Sequence, residues 1–513
     1  MNGGYGAAMR ARPNSARPSA ARSAGSRTTT RLVAAAAAVA LGAGTVAACS
    51  SDDKAPAATP APAASVADTS TLSYNSCEQV ACEGVLNGAR YKIEMPPNWN
   101  GTLLLWSHGY RATVRTPPLN EVINTAAENA PSRTIPGGTT DTSVARGLLD
   151  QGYAIAGSSY ASNGWAVQDG VKAGEDLRQF FVDNVGAPRR TYVWGASLGG
   201  LISQLLSEKH PEWVSGAAPE CGAVAGTTEN LDGALAIGYM VQTLIDPKLK
   251  ITNFASPQEA VAMFQRAQKS VTAAAQDVGG GGTAKVETIA AIAHLANKTG
   301  TYDGHDFPST VAAHAESIIT ALAFTTFGQQ EFATRVGGQG LDINGLDFST
   351  SADDAALRPL VTGLKGDLDG YYRALASGTR PEVDPAAREQ AAAQGETTGQ
   401  VGHPTVTLHT EDDPLVPPSN ERVLGDRIAA ASGGVGGLVQ LYTKAPQTYP
   451  APAPYGAGHC NFTTTEQLGL VKVLDTFVRT GVRPTPRTTN TEFAQPTGLD
   501  TTYEALPFPL LQR

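Results

Sequence analysis

Acidic side chains are missing from the first 48 residues, where six arginines stand (Arg10, Arg12, Arg17, Arg22, Arg27 and Arg31). The whole chain is poor in charge, at 17%, and in aromatic residues, at 6%. So low a charge content excludes a coiled coil or a nucleic-acid scaffold. Apart from the arginine-rich start, 32 basic and 47 acidic side chains remain, a net charge of −15. Such a surface repels a phosphate backbone, and no nucleic-acid partner is expected. Cysteine is scarce, five in 513 residues. After residue 48 no apolar run reaches the ~18 residues that a bilayer span needs. Hydrophobic side chains are abundant, 41% of the chain, enough for a large core and against wholesale disorder.

Residues 1–31 are basic and rich in Ser and Ala, residues 32–48 are continuously apolar, and Cys49-Ser50-Ser51-Asp52-Asp53 follows. A positive leader, a short apolar run and small residues before the cut describe a signal peptide, residues 1–48. Its end, Val46-Ala47-Ala48-Cys49, resembles a bacterial lipobox. That implies an exported protein at the cell surface, joined to the membrane only through a lipid on Cys49. An ordinary signal peptide, releasing a secreted protein, is the alternative. The leader has no tandem arginine pair, so a twin-arginine route is not indicated. Residues 49–75 carry no hydrophobic period and read as a flexible tether. In an exported chain the other four cysteines suggest two disulfides, with three possible pairings. Cys77 with Cys82 would close a small local loop. The spacings fit no zinc site, and no metal is expected.

Residues 85–95 read as a hairpin about Asn87-Gly88, a strong tight-turn pair. Strands follow at 102–107, continuously apolar as when both faces are covered, and at 153–157. A helix at 170–185 precedes a strand at 191–194, a helix at 201–210 and a strand at 214–218. Alternating apolar strands and helices predict an α/β protein with a mostly parallel sheet flanked by helices. The rhythm breaks at residues 226–399, which are Ala-rich and read as a large helical insertion. It resumes with strands at 405–409 and 438–442 and helices after Ser419 and at 466–479. One sheet domain is therefore expected in two pieces, 76–225 and 400–482, with residues 483–513 as a tail draped over the surface.

Gly195-Ala196-Ser197-Leu198-Gly199 matches G-x-S-x-G. The five letters alone say little in a chain with 55 glycines; their place between a strand and a helix says more. A Ser on a sharp strand-to-helix turn needs small neighbours, and a helix start beside it stabilises a developing anion. A nucleophilic Ser needs a base, and the base needs a carboxylate. Of the eight histidines, His459 is best placed, in a Gly-bearing loop between the last strand and the last helix. His108 ends an apolar strand and His409 lies within one. The run Glu411-Asp412-Asp413-Pro414 offers the carboxylate. Asp413 is favoured because Asp-Pro opens a turn, with Asp412 and then Glu411 behind it. The two acids not used are expected to be solvated.

The order Ser197, Asp413, His459, with His108-Gly109-Tyr110 after an early strand and the GASLGG turn, resembles the α/β-hydrolase superfamily over about residues 84–225 and 400–480. The resemblance implies a nucleophile at Ser197, a base at His459 and an acid at Asp413. It implies an oxyanion hole from the backbone N–H groups of Tyr110 and Leu198, and a cap at 226–399. It also brings Cys221 and Cys460 to one rim of the sheet, where a Cys221–Cys460 bridge would anchor the His459 loop. The implied activity is an exported serine esterase acting on a small or polymeric acyl substrate without cofactor. The rivals are a peptidase or aminopeptidase of the same fold and a catalytically silent surface-binding lipoprotein. Trp165 would line the acyl pocket or simply pack, and Glu220 would receive a substrate amine or make local hydrogen bonds.

Overall fold

Residues with positive φ at both turn positions suit the twist of paired strands. Asn87 and Gly88, at φ 50° and 81°, accordingly join β1 (Ala81–Leu86) to β2 (Ala89–Glu94). The computed structural model describes residues 81–114, 143–295, 307–444, 458–485, 489, 499–500 and 502–509. The signal peptide, Cys49, the tether and Cys77 lie outside the described residues.

The strands β3 (Thr102–Ser107), β4 (Ala154–Ser158), β5 (Arg190–Ala196), β6 (Gly216–Glu220), β7 (Thr405–Thr410) and β8 (Leu438–Thr443) complete one sheet. Its order is β1-β2-β4-β3-β5-β6-β7-β8. β2 runs antiparallel to β1 and β4, and every pairing from β4 to β8 is parallel. Helices cover both faces. Leu103 and Leu105 share a core with α2 (Val167–Asn184) and α3 (Leu198–Lys209). Leu104 and Trp106 share another with α1 (Ser143–Asp150) and α13 (Thr464–Thr480). This is the expected α/β architecture, a mostly parallel sheet between helical layers.

Among the described residues eight helices separate β6 from β7. They are α4 (Thr227–Leu244), α5 (Pro257–Gln276), α6 (Gly282–Ile292), α7 (Phe307–Phe324), α8 (Phe327–Val336), α9 (Asp354–Gly363), α10 (Leu368–Ser377) and α11 (Pro385–Ala393). By length and mean hydropathy alone the stretch Phe307–Val336 passes for a bilayer span, but 78% of its apolar window is buried inside the protein, as in a core helix. After β7 comes α12 (Ser419–Ser432). The core below α2 and α3 continues without a break into the cap through Leu235, Met240, Ile289 and Phe324.

Three strand ends fix the rim where chemistry is placed. Ser107 pairs with Gly195, and Ala196 with Glu220, so the carboxyl ends of β3, β5 and β6 lie side by side. Ligands of open α/β sheets bind beyond such ends. The tail differs from expectation. Leu499 bridges Thr443 of β8, and Ala505 and Phe508 are buried, so the described part packs into the molecule instead of draping over it.

Candidate active site

The turn after β5 is forced by backbone crowding. A Cβ at Gly195 would overlap the carbonyl oxygen of Gly199, and one at Gly199 that of Ser107. Only glycine permits this approach of β3, β5 and α3. Ser197 itself stands at φ 59°, left-handed backbone that a non-glycine residue rarely adopts. Its N–H donates to Glu220 O (2.9 Å) and its carbonyl accepts from Ala223 N (3.2 Å), pinning the turn to the end of β6. α3 starts at Leu198, three residues before the expected Leu201, because the helix grows directly out of the turn. The N–H of Leu198 therefore has no partner within its helix.

Across from it runs His108-Gly109-Tyr110. Gly109 lies so close to Ser197 that a Cβ there would stand 3.1 Å from the serine Cβ. His108 is wedged between Gly109 O (2.7 Å) and Ser159 O (3.1 Å), and its ring stacks on Tyr160. Burial first, and the Arg111 charge second, push it down to about 3, so it stays neutral and structural.

Of the three neighbouring acids it is Asp413 that meets His459, with Nδ1 2.8 Å from Oδ2 and 3.0 Å from Oδ1. The N–H groups of Leu415 and Val416 both donate to Asp413 Oδ1 at 2.9 Å. Burial alone would raise this carboxyl. The His459 and His409 imidazoles and the Leu415 N–H outweigh it and hold the group below its usual range. Glu411 and Asp412, expected to be solvated, are buried. The C-terminal segment reaches this loop, with Tyr503 Oη donating to Glu411 O (3.2 Å).

His409 is a partner that sequence reasoning left inside its strand. It is fully buried, contacts Val416 O through Nε2 (2.9 Å), and faces Glu421 (3.4 Å) and Asp413 (3.9 Å). It thus ties down the turn that carries Asp413. The spacing His409-x-x-x-Asp413 was visible; the buried Glu421 from α12 opposite it was not.

Cys221 and Cys460 form a disulfide with Cα atoms 5.4 Å apart. Both cysteines have left-handed backbone, at φ 41° and 52°. Beyond the bridge, Thr463 and Glu466 form a reciprocal capping box that fixes the start of α13, a feature worth about 1 kcal/mol. His459 is thus held between a staple and a helix start. Its Nε2 lies 3.3 Å from Cys460 Sγ. Among the described residues no hydrogen bond joins His459 to Ser197 Oγ.

Ser197, Leu198 and Tyr110 line a cavity of about 80 Å³. The cap contributes Leu231, Ile237, Leu295 and Phe324, and the loop after Asp413 contributes Pro414 to Pro417. No charged side chain lines it among the described residues. Trp165 is buried. It lines the cavity, and it is fixed there by Nε1 donating to Thr227 Oγ1 (2.9 Å) and N donating to Glu331 (3.0 Å). Neither the cap residues nor the C-terminal Phe508 and Pro509, which also line this cavity, carry a motif that could have pointed to them.

Glu220 makes the local hydrogen bonds. It is fully buried and accepts from Trp194 Nε1 (2.5 Å) and Gln467 Nε2 (2.8 Å). Burial raises it from 4.5 to about 7, against those two bonds. A carboxyl raised on folding takes up a proton, so its favourable contribution is complete below about pH 4.5 and is lost as pH rises through about 7. Glu220→Gln should therefore raise the Tm at about pH 8 and leave it nearly unchanged at about pH 5. Thermal unfolding at both pH values checks this; an equal change at the two would overturn it.

No model of a known protein family matches the sequence, and no curated protein sequence matches it. Solved structures do resemble it. An esterase from Aspergillus oryzae is 13% identical over 79% of this chain and 80% of its own, with a TM-score of 0.37. A proline iminopeptidase from Mycobacterium smegmatis is 12% identical over 78% and 97%, at 0.33. A monoacylglycerol lipase from Paleococcus ferrophilus is 11% identical over 69% and 88%, at 0.27.

Proposed function

We propose that this protein is a serine hydrolase that cleaves carboxylic esters of uncharged acyl groups through an acyl-enzyme. The observation that carries the reading is Ser197 in left-handed backbone at the head of α3, opening onto an apolar cavity. Ser197 Oγ attacks the acyl carbonyl while His459 Nε2 takes its proton. Asp413 holds the Nδ1–H and stabilises the imidazolium. The N–H groups of Leu198 and Tyr110 receive the developing oxyanion, and each such donor is worth about 100- to 1000-fold in rate. His459 then protonates the departing alcohol, and water, deprotonated by the same imidazole, releases the acid and restores Ser197. His459 Nε2 lies beside Cys460 Sγ and, among the described residues, makes no hydrogen bond to Ser197, so the two must draw together for proton transfer. Catalytic hydrogen bonds commonly tighten in this way only with substrate bound.

Ester cleavage is preferred to aminopeptidase action on one ground. A substrate ammonium group needs a carboxylate to receive it, whereas both oxygens of Glu220 are already bonded and, among the described residues, the cavity lining carries no charge. Purified protein should turn over p-nitrophenyl acyl esters and leave aminoacyl p-nitroanilides essentially untouched. Rapid anilide cleavage with inert esters would overturn the preference.

A further inference from the structure

Phe508 and Pro509 form part of the wall of the cavity that Ser197 opens onto. Asp500 N donates to Tyr442 O (2.8 Å), and Tyr503 packs its ring on Tyr442 with centroids 4.8 Å apart while its hydroxyl holds Glu411 O. These contacts moor the segment to β8 and the acid loop. It then runs on to α4. Leu506 points outward, 40% exposed, while Phe508 is 7% exposed. The Phe508 ring lies over Gly233, where an added Cβ would meet its Cε1 at 3.5 Å. On either side of Gly233, Leu231 and Ala234 line the cavity, and Phe508 and Pro509 continue that wall.

We infer that Phe508 is a specificity-determining residue, closing the cavity so that it accepts a short uncharged acyl chain and rejects a long one. The inference rests on the proposed ester hydrolysis. The space is about 80 Å³, and Phe508 and Pro509 stand along one side of it. Among the described residues the other apolar walls are supplied by the core, the cap and the acid loop. A methylene that gains or loses its place in an apolar pocket changes kcat/KM by about 10-fold or more. Truncating Phe508 therefore shifts the preferred acyl length upward, and enlarging it shifts the preference down.

The experiment is a series of p-nitrophenyl esters from acetate to laurate, run on wild type, Phe508→Ala, Phe508→Trp and Leu506→Ala. The expected result is that Phe508→Ala raises the octanoate-to-butyrate ratio of kcat/KM by at least about 10-fold. Phe508→Trp lowers that ratio, and Leu506→Ala leaves it unchanged. If Phe508→Ala does not fold, the Phe508→Trp profile decides alone. An unmoved ratio in both Phe508 variants, with wild type active on butyrate, overturns the role of Phe508 and leaves ester hydrolysis standing. A wild type inert on every ester overturns both.

Discussion

Ser197→Ala is expected to lower kcat on an activated ester by about 10⁶-fold, the loss seen when a serine hydrolase of another fold loses its nucleophile. What remains is the rate that the oxyanion donors and the apolar cavity sustain without covalent chemistry. Labelling by a fluorophosphonate probe should vanish in the same variant, since the probe phosphonylates the serine oxygen itself. Stability should hardly change. The hydroxyl of Ser197 makes no hydrogen bond among the described residues, and the turn is held by its backbone through Glu220 and Ala223. Alanine must adopt the same left-handed φ of 59°, a strain that Ser197 already bears. Loss of activity with an unchanged Tm thus separates chemistry from folding. Equal labelling of variant and wild type would remove Ser197 from the mechanism, and with it the proposed function.

That expectation could be formed from the sequence because the elbow is a local structure. Gly195 and Gly199 are dictated by contacts within a few residues and with β3, so the pattern carries its own explanation. The strand–helix alternation was legible for the same reason: Leu103 to Trp106 is apolar on every position, as only a strand covered on both faces requires. Element ends moved by one to four residues, since hydrogen bonding and not composition sets them. The short α1 had no periodicity strong enough to announce it. The cavity was illegible. Leu231, Leu295, Phe324 and Phe508 are ordinary apolar residues scattered along the sequence, and only the folded chain brings them around Ser197. Nor does an acidic run reveal that all three of its carboxylates are buried, because their neighbours, such as His459 beside Asp413 and Tyr503 beside Glu411, come from far along the sequence.

Asp413→Asn should lower kcat by about 10⁴-fold and leave KM nearly unchanged, while Asp412→Asn keeps most of the activity. The asymmetry follows from hydrogen-bond roles. Asp413 Oδ1 accepts from Leu415 and Val416, so an asparagine oriented by those two N–H groups keeps its oxygen there. Its amide nitrogen then faces His459 Nδ1 and donates where the carboxylate accepted. The imidazole answers by moving its proton to Nε2, the atom that has to take the serine proton, and the base becomes a donor. KM holds because the cavity is lined by Pro414 to Pro417 and not by Asp413. His409 sharpens the outcome: with Glu421 on its other side, it helps to hold Asp413 ionised. The acid limb of the wild-type rate profile must then report another group, because this carboxyl is charged well below neutral pH. Steady-state kinetics on the two variants checks the argument, and the reverse ranking would give the acid's role to Asp412.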